Sequence, residues 1–364
     1  MHNHVHLSND IKRLALETGF DLAGIAGVQD CAEHKFYPQW IAEGCAGEMT
    51  YLEAHNEAGA LKRSSLANTA PWAKSVVVCA LNYNTDQPYS THAGTTSQGW
   101  ISRYAWAQRD YHHVFLLKLR QLEAKVVRLC EQSGVTTPRT WCYVDTGPLI
   151  ERIFAKYAGI GWIGKNTCIL NENLGSWLFL GVILTSLELQ PGLPPPDRCG
   201  SCTRCLDACP TNAFPAPYQL DATKCISYLT IEKRGAIPEE LRPGMGRQVF
   251  GCDICQDVCP WNRQAPHTTT PEFQARPQLV NPELEWLARL SYDDFREVFR
   301  GTPVKRAKHK GLLRNIVIAM GNSGEERFRA ILEDLSHHED PMVAETAEWA
   351  LRHLRPESSS RTDE

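Results

Sequence analysis

The chain has 364 residues and is close to charge balance, with 38 Lys and Arg against 42 Asp and Glu, a net charge of −4, and 14 cysteines. Near-neutrality excludes a chain-wide polyanion-binding surface. The longest apolar stretch, 177–187, is too short to cross a bilayer, so no membrane partner is expected. The opening Met-His-Asn-His-Val-His is no export signal, so reduced thiols of a cytoplasmic protein are expected, not a disulfide framework.

Ser8 can cap a helix whose apolar positions Ile11, Leu14 and Ala15 follow at helical spacing over 8–18. Phe20–Val28 reads as a strand, and Ser75–Tyr83, β-branched and largely apolar, as a stronger one. Tyr111–Gln132 reads as a long amphipathic helix. Trp141–Val144 is a short strand running into Asp145-Thr-Gly-Pro148, after which 149–158 resumes helix. Ser176–Leu187 is a strand apolar enough to be buried on both faces. This alternation predicts an α/β or α+β domain over 1–190.

A proline-rich linker, 191–196, opens a cysteine-dense module over 191–265. A Pro- and Thr-rich joint follows, to about residue 278. Residues 279–355 read as all-helical, with Leu312–Met320, Glu325–Leu335 and Met342–Leu354 as helices; a short HEAT-type stack is expected, a plain bundle being the alternative. The polar tail 356–364 is expected to be disordered.

The module's first run, Cys199-Gly-Ser-Cys202-Thr-Arg-Cys205-Leu-Asp-Ala-Cys209-Pro210, has the bacterial ferredoxin spacing. The second, Cys252-Asp-Ile-Cys255-Gln-Asp-Val-Cys259-Pro260, lacks its first cysteine, since position 249 is Val; Cys225, between the runs, can replace it. In two-cluster ferredoxins the fourth cysteine of a run ligates the other cluster. Cys199, Cys202, Cys205 and Cys259 are therefore assigned to one 4Fe–4S cluster, and Cys209, Cys225, Cys252 and Cys255 to a second. Zinc also uses C-x2-C pairs but fits this series poorly. The other six cysteines read as isolated buried thiols.

Asp145 stands at a strand end, where chemistry collects in such domains. Donating a proton at neutral pH calls for a raised pKa, which burial away from cations supplies. Capping of the following helix is the competing reading. Gly159-Ile-Gly-Trp-Ile-Gly-Lys-Asn166 lets backbone approach a bulky ligand, but no strand is evident beside it, so it is no dinucleotide fingerprint. Ser102-Arg-Tyr104 and Asp110-Tyr-His112, taken singly, read as structural. Arg300, Lys305, Arg306, Lys308, Lys310 and Arg314 form a basic run without an acid, either a polyanion site or a solvated face.

Together these segments, with Cys225-Ile-Ser-Tyr-Leu-Thr-Ile-Glu232, Gly235-Ala-Ile-Pro-Glu-Glu-Leu-Arg242 and Gly311-Leu-Leu-Arg-Asn315, resemble the epoxyqueuosine reductase family over nearly the whole chain. The resemblance implies reduction of epoxyqueuosine to queuosine at the tRNA wobble position. It implies a cobalamin-binding catalytic domain, two 4Fe–4S clusters and a helical-repeat tail. By position it makes Asp145 the proton donor and Arg63, Arg103, Asn166 and Ser227 corrinoid contacts, while Lys305, Arg306, Lys308 and Arg314 are the expected tRNA contacts. A monomer fed by an unidentified electron donor is expected. The stretch 105–110 departs from the family by lacking a glycine and gaining a residue, and 131–141 is longer than usual. A corrinoid reductive dehalogenase shares the cofactors but has no use for a basic helical tail. A pure electron-transfer protein leaves the first 190 residues without a role.

Overall fold

The computed structural model describes residues 2–92 and 94–354; the tail expected to be disordered lies outside them. Helix α1 (His2–Glu17) leads into β1 (Leu22–Ala26), then α2 (Ala32–Ala42) and β2 (Ser75–Asn82). A short β3 (Trp100–Ile101) precedes α3 (Tyr111–Gln132), β4 (Thr140–Tyr143) and α4 (Glu151–Tyr157). A small hairpin, β5 (Trp162–Ile163) and β6 (Ile169–Leu170), then leads to β7 (Leu178–Thr185). The glycine-rich stretch in which no strand was evident thus contains β5: a Cβ on Gly161 would lie 2.2 Å from the Leu170 carbonyl oxygen, so glycine is what lets the hairpin close.

The main sheet has the order β1-β2-β7-β4 and is antiparallel throughout, which makes the fold α+β. All of β2 is buried because helices cover both faces. Val77, Cys79 and Leu81 point to α1 and α3, meeting Ile11, Phe115 and Leu119. Val76, Val78 and Ala80 point the other way, meeting Phe154 and Ala155 of α4. Period-two alternation thus puts apolar side chains on both faces, each fully buried valine or leucine contributing about 1.5–3 kcal/mol. Gly181 in β7 lets α3 approach, since a Cβ there would sit 2.3 Å from Phe115 Cε1.

In the cysteine module, α5 (Arg204–Asp207) and α7 (Ile254–Asp257) lie within the two runs and pack on each other; between them in the chain lie α6 (Ile226–Ile231) and β8 (Gln248–Phe250). The tail adds α8 (Leu284–Ala288), α9 (Tyr292–Val298), α10 (Lys308–Ser323), α11 (Arg329–Leu335) and α12 (Pro341–His353). Helix α10 is central, touching α8 and α12 on one side and β8 and α6 on the other.

The expected divisions at 190, 265 and 279 run through shared packing. Strand β3 pairs in parallel with β8, and Trp100, Ile101 and Trp106 share one core with Ile226, Phe250, Ile316 and Trp349. Buried Asp253, beside Cys252, accepts from Trp100 Nε1 at 3.0 Å, from the Ser102 hydroxyl and from the Arg103 amide at 2.7 Å. No helix among the described residues is long and apolar enough to cross a membrane.

Candidate active site

Asp145 stands two residues beyond the end of β4, with φ +60, in the left-handed region non-glycine residues avoid. The Thr146 amide donates back to the Val144 carbonyl at 2.6 Å, closing a three-residue turn centred on Asp145. Such strain persists only where surroundings impose it. Here Arg63 imposes it, donating to the Gly147 carbonyl at 2.9 Å and to the Tyr51 carbonyl at 2.7 Å. Asp145 caps no helix: α4 begins after Ile150, which makes no side-chain cap. Its side chain is 66% exposed and faces open space.

The first turn of α3 supplies its partners. Asp110 caps that helix by accepting from the His112 amide at 3.0 Å, and its carboxylate also meets His112 Nδ1 at 2.7 Å. The imidazole's other nitrogen, Nε2, lies 3.4 Å from Asp145 Oδ2, and the Tyr111 hydroxyl donates to the same oxygen at 3.2 Å. Phe179 of β7, Tyr111 and His112 form a continuous stack, with centroid spacings of 4.2 and 4.0 Å, that fixes both rings.

This geometry reverses the protonation expected of Asp145. The hydrogen bond from His112, outweighing the partial desolvation by neighbouring groups, holds its carboxyl below the usual range, with Tyr111 and Arg152 adding to the effect. Burial pulls His112 down, but its bonds to Asp110 and Asp145 prevail and push it up to about 9. At neutral pH the pair is therefore imidazolium and carboxylate. Burial, with Asp145 nearby, keeps the Tyr111 hydroxyl protonated and so a donor. Glu151, which opens α4, was not singled out from the sequence: burial pushes it up to about 7, and its Oε1 is buried without a hydrogen-bond partner among the described residues.

All fourteen cysteines are free thiols. Cys205 interacts with Cys199 and Cys202, and Cys259 with Cys205 and Cys199; Cys252 interacts with Cys225 and Cys209, and Cys255 with Cys252 and Cys225. These pairs fall within the two quartets drawn from the spacing, while among the described residues no group of three or more such side chains sits close enough to hold a metal ion. Amides already point at the sulfurs: Ser227 and Tyr228 at Cys225, and Ala213 at Cys209 at 3.4 Å. Soft donors in fours with N–H···S bonds suit iron–sulfur clusters. A ninth thiol, Cys168 in the β5–β6 turn, hydrogen-bonds to Cys255. Its single cysteine carried no motif that could have revealed this.

Three expected corrinoid contacts are committed to protein carbonyls instead. Arg103, 2% exposed, donates to Thr85, Gln87 and Pro88 and is packed by Tyr89, Trp106 and Trp177. Arg63 holds the Asp145 turn, and buried Asn166 donates to the Cys255 carbonyl at 3.4 Å. They brace neighbouring backbone, and Arg103 Nε is buried without a hydrogen-bond partner among the described residues. Ser227, half-buried on α6, has no hydroxyl partner among the described residues.

The basic run also divides. Arg314 is fully buried and donates to the carbonyls of Leu229, Lys233 and Gly235, so it is not a nucleic-acid contact. Arg306 is bound to Glu232 by two nitrogens and lies over the exposed Tyr51 ring at 5.6 Å, within electrostatic reach of Asp145. Arg300 pairs with Glu297 and Lys310 with Asp340, leaving Lys305 and Lys308 exposed without ion pairs among the described residues.

A family model described as "Epoxyqueuosine reductase QueG, DUF1730" matches residues 63–146, and a 4Fe-4S double cluster binding domain matches 198–262. Epoxyqueuosine reductase of Pseudomonas aeruginosa is 41% identical over 353 residues, covering 95% of this chain and 94% of its own. That of Escherichia coli is 36% identical over 347 residues, covering 95% and 89%.

The chain belongs to the epoxyqueuosine reductase family.

A solved family structure holding an epoxyqueuosine-modified tRNA stem loop superposes with a TM-score of 0.83 at 32% identity, covering 96% of this chain and 90% of that one. The Bacillus subtilis enzyme, solved with its catalytic aspartate loop swung out of the active site, gives 0.83 at 31% identity, covering 96% and 91%.

Proposed function

We propose that this chain reduces epoxyqueuosine to queuosine at the wobble position of tRNA, the last step of queuosine biosynthesis, in the cytoplasm and as a monomer. The observation that carries this reading is the strained Asp145 turn, hydrogen-bonded to His112 and Tyr111, in a chain of this family. Removing the epoxide oxygen as water takes two electrons and two protons. Asp145 is the group that hands a proton to the departing oxygen, which would otherwise leave as a poor anion. Tyr111 and His112 orient its carboxylate.

The two cysteine quartets would hold the clusters that carry single electrons from an external donor. The cleft also suits cobalamin: Ser227 offers a hydroxyl, Arg63 and Asn166 shape the wall, and the Glu151 oxygen is a buried polar atom without a hydrogen-bond partner among the described residues. Cobalamin, when bound, supplies low-valent cobalt as the reductant of the epoxide-bearing ring. Residues 1–190 form the catalytic domain, 191–265 the cluster module and 279–355 a HEAT-like stack. The exposed Lys305, Arg306 and Lys308 grip the tRNA backbone, and the modified base turns out toward Asp145.

Anaerobic reconstitution with iron, sulfide and cobalamin, then reaction with a low-potential reductant and epoxyqueuosine-tRNA, tests this. The expected product nucleoside is lighter by one oxygen. An unchanged nucleoside with both clusters and corrinoid spectroscopically present overturns the reading.

A further inference from the structure

Two protons must reach one oxygen, yet the carboxyl placed to deliver them is held ionised. A carboxylate without a proton cannot act as an acid, so the proton must be stored elsewhere in the site. The nearest store is the ring that bridges Asp110 and Asp145. His112 Nδ1 is 2.7 Å from Asp110 Oδ1, Nε2 is 3.4 Å from Asp145 Oδ2, and the side chain is 34% exposed.

We propose that His112 is the proton reservoir of this site: the proton passes from its Nε2 to Asp145 Oδ2, and from Asp145 to the departing oxygen. This rests on the reading of the reaction given above. In each delivery the N–H bond of the imidazolium breaks as an O–H bond forms on Asp145, and that O–H bond breaks as one forms on the substrate oxygen. Neutral His112 then takes a proton from solvent through its exposed edge. Two deliveries complete one water, with the electrons supplied by the reductant.

Asp110 makes the reservoir deep. Its carboxylate fixes which nitrogen faces Asp145 and favours the imidazolium. The charged and titratable groups around the ring are Asp110 and Asp145, with the Tyr111 phenol stacked on its face and His113 next along the helix. Beyond Asp145 stand Arg152 and Glu151, and beyond Tyr111 stands Tyr104. Arg63, near Glu151, and Arg306, near Asp145, also act on the site, so the imidazolium is held by its direct bonds to Asp110 and Asp145 and not by a shortage of cations.

The test uses reconstituted holoenzyme and two variants, His112→Gln and Asp110→Asn, in single-turnover reactions across about pH 6–10. The wild-type rate should fall on the alkaline side with an apparent pKa of about 9. Asp110→Asn should move that limb toward the ordinary histidine value of about 6.5. His112→Gln should abolish the limb and slow the reaction at neutral pH by about 10²-fold or more. Ring-nitrogen NMR of the oxidised holoenzyme gives a readout apart from turnover: His112 should hold its proton to about pH 9 and lose it earlier in Asp145→Asn. A His112 that titrates at its ordinary value, or a His112→Gln enzyme with the wild-type alkaline limb, overturns the proposal. If wild-type enzyme leaves the epoxide intact, the functional reading fails, while the NMR titration still decides where the proton is kept.

Discussion

Replacing Arg314 with alanine should destabilise the protein far more than any other change in the basic run. The guanidinium is fully buried and donates to the carbonyls of Leu229 at 2.7 Å, Lys233 at 3.0 Å and Gly235 at 2.5 Å, as well as to Asn315 Oδ1. The carbonyls lie at and just beyond the end of α6, whose own helix bonds leave them without partners. Each bond to a charged donor contributes about 1.5–3 kcal/mol, so three give roughly 4–9 kcal/mol. Against this stands relief from burying a cation, several kcal/mol; burial is also what pulls Arg314 down to about 10. The net loss should be about 3–5 kcal/mol, the range found when one side of a buried charged interaction is removed. At about 2–4 °C per kcal/mol, the melting temperature should fall by roughly 6–20 °C. Anaerobic thermal melts followed by circular dichroism measure it, with Arg300→Ala, an exposed pair worth about 0–1 kcal/mol, as the surface control. Arg314→Lys keeps the charge but not the planar fork that reaches several carbonyls, and should recover only part of the loss. A shift for Arg314→Ala no larger than that for Arg300→Ala would refute the assignment of Arg314 to the core.

Asp145→Asn should retain both clusters and bound corrinoid by visible spectrum and lose turnover by about 10²–10⁴-fold, the usual scale of acid–base assistance; full turnover would remove Asp145 from the chemistry. Cys225→Ala should lose one cluster and keep the other, halving bound iron and labile sulfide; unchanged iron would mean that another thiol completes the second quartet. Lys305→Ala with Lys308→Ala should weaken tRNA binding and flatten the slope of log affinity against log salt by roughly 0.7–0.9 for each phosphate that is no longer neutralised, measured by filter binding at several salt concentrations. An unchanged slope would make these two lysines a solvated face.

Regular elements with strong periodicity were legible in the sequence. Helix α3 runs over Tyr111–Gln132 as its apolar spacing indicates, and β2 and β7 fall inside their apolar runs. The double-cluster module was legible because cluster geometry dictates ligand spacing, and a 4Fe-4S double cluster binding domain matches 198–262; the assignment of Cys225 to it rests on counting thiols. Sheet direction was not legible: an apolar strand covered on both faces reads alike whether its neighbours run parallel or antiparallel. Nor were the roles of Arg63, Arg103, Asn166 and Arg314. An arginine that braces buried carbonyls and one that greets a ligand look identical in sequence, and only their hydrogen-bond partners separate them. The packing shared across the domain divisions was hidden for a related reason. The pairing of β3 with β8 joins segments well over a hundred residues apart, and neither strand is long enough to announce itself.

Asp110 shows how one side chain can serve the fold and the chemistry, and how the two can be pulled apart. Its carboxylate caps α3 through the His112 amide and charges the His112 ring through Nδ1. Asparagine caps a helix about as well as aspartate, so Asp110→Asn should leave helix stability little changed at low pH. What it removes is the charge that holds the imidazolium. His112 has a folded pKa raised above its unfolded value, so the stability it lends is fully present below about pH 6.5 and is lost as pH rises through about 9. Wild type should therefore show a decline in stability between those limits that Asp110→Asn largely lacks. Asp145, held below its ordinary value, behaves in the opposite sense: its contribution is present at neutral pH and disappears as acid protonates it. Denaturation midpoints taken from about pH 2 to about pH 10 would show both limbs. If the alkaline decline survives unchanged in Asp110→Asn, the charge on His112 is not set by Asp110, and the reservoir would have to be held by Asp145 alone.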